Sequence, residues 1–275
     1  MLRVLEACPL LEVLHLDSVH FTFLSDEAEG FGLPETAVML SCLRRVRVKQ
    51  GSPQWAVRSI LSHIMAARHC CLEIIVGSAS LKVLTDVVPS WLDAKGKFPG
   101  LSLISHLDIR LLGGGELSIK GIGSGADVFK FDTTTFLDYP QILPVLGRIF
   151  PMPLLERLTV INCRDHAEAF AEFLDRHRTI QAISLSGAEP KMMEIFRVTP
   201  TRHLCPSLRE LVIEQCNVSA AHLVDVLKSR IRPGPTSVFP EDSTTSLRHL
   251  KIIRCLHITR AAVAELEEHL VVECA

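Results

Sequence analysis

Three groups of residues in this 275-residue chain have types and spacings that could do chemistry. Gly121-Ile122-Gly123-Ser124-Gly125 has the glycine density of a phosphate-cradling loop. A dinucleotide fingerprint, however, needs G-x-G-x-x-G turning from a strand into a helix, and a P-loop needs G-K-[ST] at its end. Here Asp127-Val128-Phe129 continues as strand, so a hairpin or loop is the favoured reading. Cys70 and Cys71 beside His69 and His63 are zinc-ligand types, yet zinc sites draw on two ligand pairs at short fixed spacing and no second pair lies nearby. No metal is expected. Arg45, Arg47 and Lys49 are alternate residues that would line one face of a strand, and an arginine there can grip a carboxylate or phosphate bidentately. Neither G-x-S-x-G nor H-E-x-x-H occurs, and the 12 histidines are scattered, so no catalytic residue and no cofactor is assigned and the chain is read as non-enzymatic.

The elements that position these groups follow a recurring pattern. Ser207 to Cys216, SLRELVIEQC, puts Leu208, Leu211 and Ile213 at the offsets of L-x-x-L-x-L, with Cys216 where the leucine-rich repeat template has Asn or Cys. Matching strands are expected at Leu11, Leu14 and Leu16; at Leu43, Val46 and Val48; at Leu72, Ile75 and Val76; and at Ile104, Leu107 and Ile109. Glu116 to Lys120 and Asp127 to Phe131 read as short strands, the second a degenerate repeat. All template positions are filled at Leu155, Leu158, Val160 and Cys163, and further strands are expected at Ile180, Ile183 and Leu185 and at Leu247, Leu250, Ile252 and Cys255.

Between them, helices are expected over Pro53 to Arg68, Leu81 to Pro89, Asp138 to Phe150, a capping-box start at Asp165 and Glu168 running to Arg178, and Pro190 to Val198. Ser219 and Thr259 are N-cap candidates for two more, the last closing near Val271, and Phe21 to Met39 reads as loop. The first template positions run from residue 11 to residue 247 in eight steps of about 29.5 residues, irregular repeats of about 25–39. That period suits one strand and one helix per unit. The expectation is an α/β leucine-rich repeat solenoid, a curved parallel sheet with helices on its convex side. It would form one domain over residues 1–275, with a glycine-rich insertion at 113–125 and a Pro/Gly loop at 233–246.

LERLTVINC, LRELVIEQC and LRHLKIIRC, with Cys-Pro at Cys8-Pro9 and Cys205-Pro206, resemble the cysteine-containing leucine-rich repeats of F-box proteins, and the irregular spacing is more like the large F-box-type families of mushroom-forming fungi. The resemblance implies the substrate-recognition part of a ubiquitin-ligase receptor. In that family an N-terminal F-box docks on the ligase adaptor while the repeats hold a target. No such box precedes the first repeat here, so adaptor contact is expected only through a missing N-terminal region. The pattern opens in mid-repeat at Met1, which leads to the further expectation that something preceding it, or a partner, covers this end.

Bulk properties narrow the partners. With 29 basic and 31 acidic residues the net charge is -2, which leaves no global field to hold a polyanion, so no nucleic-acid partner is expected. No apolar run reaches the roughly 18 residues that span a bilayer, and no signal-like start is present, so no membrane partner is expected either. Nine cysteines, an odd number with several at repeat positions, suit reduced thiols in a cytoplasmic or nuclear protein.

What remains is the concave face, whose residues alternate with the inward ones. Arg45, Arg47, Lys49, Asp108, Arg110, Arg157, Glu210, Glu214, His249 and Lys251 are the candidate partner-binding residues, a mixed-charge row suited to a protein partner. The alternative reading is a small-molecule or nucleotide site in the glycine-rich insertion, or a structural repeat protein without a ligand.

Overall fold

The computed structural model describes residues 2–17, 37–49, 60–79, 96–112, 115–136, 139–150, 152–162, 167–231 and 247–275. Over these the chain is mixed α/β, its strands paired mostly in parallel, and it divides into two compact units.

The first unit comprises Met1–Ile104, Gly113–Tyr139 and Arg148–Met152. After helix α1 (Leu2–Glu6) come β1 (Val13–Asp17), β2 (Val38–Leu40), β3 (Arg45–Lys49), β4 (Ile64–Ala66) and β5 (Cys71–Ala79), then a 3-10 turn at Pro99–Leu103. His106–Leu111, β6, belongs to the second unit, and β7 (Leu117–Gly123) and β8 (Ala126–Phe136) return to the first. Its main sheet runs β1, β3, β5, β8, β7. The side-chain period of two puts Leu14 and Leu16, Val46 and Val48, Leu72 and Ile74, and Phe129 and Phe131 inward, all 9% exposed or less, and pairing aligns them from strand to strand.

Several expectations change here. In the third strand the inward residues are Leu72, Ile74 and Val76, so Ile75 faces the other way; a one-residue slip in reading a strand exchanges its faces. Leu72 aligns with Val46, the second template position of its neighbour, not with Leu43. Val38–Leu40, inside the expected loop, pairs in parallel with Ile64–Ala66, inside the expected helix, as a separate two-stranded sheet. Only residues 60–62 of that helix segment are helical among those described. Val38, Leu40, Ile64 and Ala66 are buried at alternate positions, which is strand periodicity in a stretch too short to outvote the helical spacing around it. The expected loop over 21–36, the helix over 81–89 and the surface loop over 233–246 lie outside the described residues.

The glycine-rich insertion is a β-hairpin. β7 and β8 pair antiparallel from Leu117 opposite Thr133 to Gly123 opposite Ala126, with Val128 as the extra residue of a bulge. Ser124 and Gly125 have φ of 52° and 81°, the mirror-type two-residue turn whose twist matches the strands. A Cβ at Gly123 would sit 2.6 Å from the Leu103 carbonyl oxygen, so glycine lets the hairpin lie against the 3-10 turn. Through β8 the hairpin pairs in parallel with β5, the place that chain order would have given to β6.

The second unit comprises Ser105–Leu112, Pro140–Gly147 and Pro153–Ala275. Helix α2 (Tyr139–Ile149) bridges the two by sequence, and β9 (Arg157–Ile161), α3 (Ala167–Arg176), β10 (Ala182–Ser186), α4 (Pro190–Glu194), β11 (Glu210–Glu214), α5 (Ala220–Ile231), β12 (His249–Ile253), α6 (Arg260–Glu267) and β13 (Val271–Cys274) follow. The sheet order β6, β9, β10, β11, β12, β13 is parallel throughout and, from β9 on, is chain order. Leu158, Ile183, Leu211 and Leu250 form one inward row and Val160, Leu185, Ile213 and Ile252 the next, each 5% exposed or less. Each of α3, α4 and α5 packs on the next helix, the last of them on α6. The closing segment differs from expectation: α6 stops at Glu267, and Val271–Cys274 becomes a strand because its backbone completes the open edge of β12.

Two backbone devices repeat through this unit. The residue after each of β9, β10, β11 and β12, namely Asn162, Gly187, Gln215 and Arg254, has φ between 50° and 70°. Each donates its N–H to the neighbouring strand or the segment after it, at Ser186 O, Glu214 O, Ile253 O and Ala275 O. At the other end, single carbonyls of Ser105, Glu156, Gln181 and Arg209 each accept two successive N–H groups from the following strand. Thr259 caps α6 by accepting from Ala262 N at 3.3 Å, and Ser219 accepts from His222 N at 3.3 Å, as the sequence predicts. Cys163 and Asp165 lie outside the described residues.

Candidate functional site

The ten candidate residues divide three to seven. Arg45, Arg47 and Lys49 are on β3 in the first unit; Asp108, Arg110, Arg157, Glu210, Glu214, His249 and Lys251 are on β6, β9, β11 and β12 in the second. All alternate with the inward rows, but they do not form one charged surface.

In the second unit the outward rows read His106, Arg157, Ala182, Glu210, His249, then Asp108, Thr159, Ser184, Val212, Lys251, Glu273, then Arg110, Ile161, Ser186, Glu214, Ile253. Half-buried small or apolar side chains, Thr159, Ala182, Ser184 and Val212, occupy the middle, and charge sits toward the sides. Arg157 and Glu210 are two strands apart, roughly 10 Å, and do not pair directly. Lys251 pairs with Glu273 at 3.4 Å. Asp108 departs most from the expected solvated row: it is 7% exposed and accepts from Arg110 Nε at 3.0 Å on each oxygen and from Nη2 at 2.5 Å. The Asp108 hydrogen bonds in turn hold the Arg110 guanidinium more firmly protonated than usual.

In the first unit two of the three expected anion-gripping residues are already engaged. Lys49 lies 3.7 Å from Asp17, and Arg47 Nε lies 3.7 Å from Glu73 yet is buried without a hydrogen-bond acceptor. Arg45 has no ion pair among the described residues. It opens instead onto a cleft of about 410 Å3 shared with Val13, Arg44, His69, Cys71, Glu73, Asp127 and Lys130. The hairpin supplies two of those walls, a contribution the sequence did not reveal because it depends on β8 pairing beside β5. Asp127 sits between Lys120 at 2.9 Å and Lys130 at 2.8 Å. Burial alone would raise its carboxyl, but hydrogen bonds from the two lysines outweigh that and hold it below the usual range. The Asp127 hydrogen bond likewise raises Lys130.

Cys70, Cys71, Cys205 and Cys216 are buried, whereas Cys8 and Cys274 are exposed. Burial pushes Cys70 up to about 12, with Cys71 adding to the shift, and Cys205 to about 12 as well. Cys216 Sγ donates to Leu185 O at 3.7 Å and Glu214 O at 3.4 Å, and Cys255 Sγ to Ile213 O at 3.7 Å and Ile253 O at 3.4 Å. The hydrogen bond that Cys216 donates to Cys255, together with burial, drives the Cys216 thiol far up. No cluster of three or more His, Cys, Asp or Glu side chains able to hold a metal occurs among the described residues. Nor is any described helix long and apolar enough to cross a membrane.

No family model matches the chain, and no curated protein does.

Proposed function

We propose that the chain is a repeat-built scaffold that binds a protein partner through the outward faces of its parallel strands. On the resemblance of LERLTVINC, LRELVIEQC and LRHLKIIRC to leucine-rich repeats, it is the substrate-recognition part of an F-box-type ubiquitin-ligase receptor. In this reading the second unit's strands and helices are successive repeats of a solenoid, and adaptor contact belongs to a longer parent chain.

One observation carries the protein-binding reading. Across β9 to β12 the inward rows are uniformly aliphatic while the outward rows vary from Arg157 to Ala182, Glu210 and His249, and from Thr159 to Ser184, Val212 and Lys251. The core needs only the inward set. The outward set has the low-charge centre and polar rim of a protein interface, with small side chains that let another backbone come close.

The test is site-specific photo-crosslinking from Ser184 and Val212, with a control position at the exposed Glu267 on α6, followed by identification of the captured chain. Capture from both sheet positions but not from α6 is expected, with loss of at least about tenfold in the Arg157→Glu, Lys251→Glu double variant. Equal capture from all three positions would remove the sheet face as the binding surface.

A further inference from the structure

The cleft beside Arg45 carries more positive charge than its own carboxylates neutralise. Arg44, Arg45 and Lys130 line it against Glu73 and Asp127; with the ion-pair partners of these residues, Arg47, Lys120 and Glu12, the group holds five cations and three anions, a surplus of two among the described residues. The whole chain is negative by two, so this is a local concentration and not a reflection of composition. Asp127 is shared by two lysines and Glu73 faces Arg47, so neither carboxylate is left to repel an anion. Arg44 is tied only loosely, 3.9 Å from Glu12. Among the described residues the exposed Arg45 has no carboxylate partner, and the buried Nε of Arg47, two residues on, has no acceptor. Cys71, whose thiol burial keeps neutral, is part of the lining.

We propose that this cleft binds a phosphate monoester dianion, with Arg45 as its principal ligand and Arg44 and Lys130 on either side. A phosphate monoester carries about -1.5 to -2 charge near neutral pH and three acceptor oxygens, matching a surplus of two and a guanidinium fork without an acceptor. A carboxylate brings one charge and leaves half the surplus uncompensated. The volume of about 410 Å3 holds a phosphate with a small attached group. The site lies wholly in the first unit and stands apart from the partner-binding reading, which rests on the second.

The experiment is an NMR or calorimetric titration of the full chain with inorganic phosphate, O-phosphoserine, a phosphoserine peptide and, for comparison, acetate. Saturable binding of the phosphates is expected, weaker by about tenfold for acetate and for Arg45→Gln with phosphate, while Arg45→Lys loses less because charge remains but the fork does not. Peptide binding tighter than O-phosphoserine would place the phosphate on a protein; equal binding would place it on a small molecule. Absence of saturable phosphate binding at millimolar concentrations, binding unchanged in Arg45→Gln, or acetate binding as tightly as phosphate would each overturn the proposal. Photo-crosslinking from Ser184 and Val212 reports separately on the second unit, so either idea can fail without the other.

Discussion

In the second unit each strand from β9 on lies beside the strand that follows it in the chain, whereas in the first unit β5 lies beside β8, reached only after β6 and the hairpin turn. The same inward pattern therefore serves two kinds of pairing. Where chain order and spatial order agree, a helix links neighbours and the outward face is left with small side chains and a charged rim. Where a hairpin takes the next place in the sheet, its lysines and Asp127 are set against the arginines of β3, and a charged cleft results. Regular pairing makes a broad surface, and interruption makes a local one.

The regular unit has a buried support of its own that can be removed without touching the hairpin cleft. Arg230 is 6% exposed, and its guanidinium donates to Phe196 O at 2.9 Å and to Leu204 O and Cys205 O at 2.8 Å each. Burial pushes its pKa down to about 10. Arg230→Met should destabilise the second unit by about 3 kcal/mol, since three buried carbonyls lose their donor, and Arg230→Lys should recover little of it. Denaturant titration followed by residue-resolved NMR reads both; equal loss of protection in β1, β3 and β5 would mean that the units do not melt separately.

A smaller loss tests the left-handed corners. Gly187 has φ of 70°, and a Cβ there would sit 2.9 Å from Asn162 Oδ1. Gly187→Ala should cost about 1–3 kcal/mol, whereas Arg254→Gly, with φ of 51° and an exposed side chain, should be neutral or mildly stabilising. Thermal melts of the two variants moving in the same direction would show that the corners are not equivalent.

Acid should separate the units more gently. His177 is 4% exposed, hydrogen-bonded through Nδ1 to Phe173 O at 2.8 Å and stacked on the Phe173 ring at 4.3 Å; burial lowers its pKa. A buried neutral histidine binds fewer protons than the unfolded one, so its stabilisation is complete above the ordinary histidine range and is lost as pH falls through it. Asp127 in the first unit is a carboxyl held below its ordinary range, so its contribution persists to lower pH and is lost only as pH falls through the carboxylate range. His177→Asn should flatten the acid limb of the second unit near pH 6, leaving that of the first unchanged, in a pH series of melting curves.

The sequence was legible where hydrophobic period and strand period coincided. Leu158 with Val160, Leu211 with Ile213 and Leu250 with Ile252 fell into inward rows as read, and the caps at Ser219 and Thr259 were recognisable from residue type. Short elements were not. Val38–Leu40 and Ile64–Ala66 are three residues each, below the length at which alternation can be told from chance, and Val271–Cys274 owes its form to the edge it completes. The third strand misled because Leu72, Ile74, Ile75 and Val76 are aliphatic on both faces, which leaves register to pairing. The left-handed corners were illegible because Asn, Gly, Gln and Arg share no residue type that announces them. Of the candidate site, individual outward residues were readable, but not the cleft, which requires the hairpin to sit next to β5.

The shared carbonyls at the strand entrances set an order of events. Arg209 O holds the N–H groups of Arg248 and His249, and Gln181 O holds those of Arg209 and Glu210, so at its entrance each strand is fastened by its predecessor. Deuterium should then enter as a staircase, first in β13, next in β12, then β11, each opening needing the one before it but none behind it. Anything clamped across β10 and β11 would arrest that sequence midway, so occupancy of the sheet would be recorded as a pause in the clock of the backbone itself.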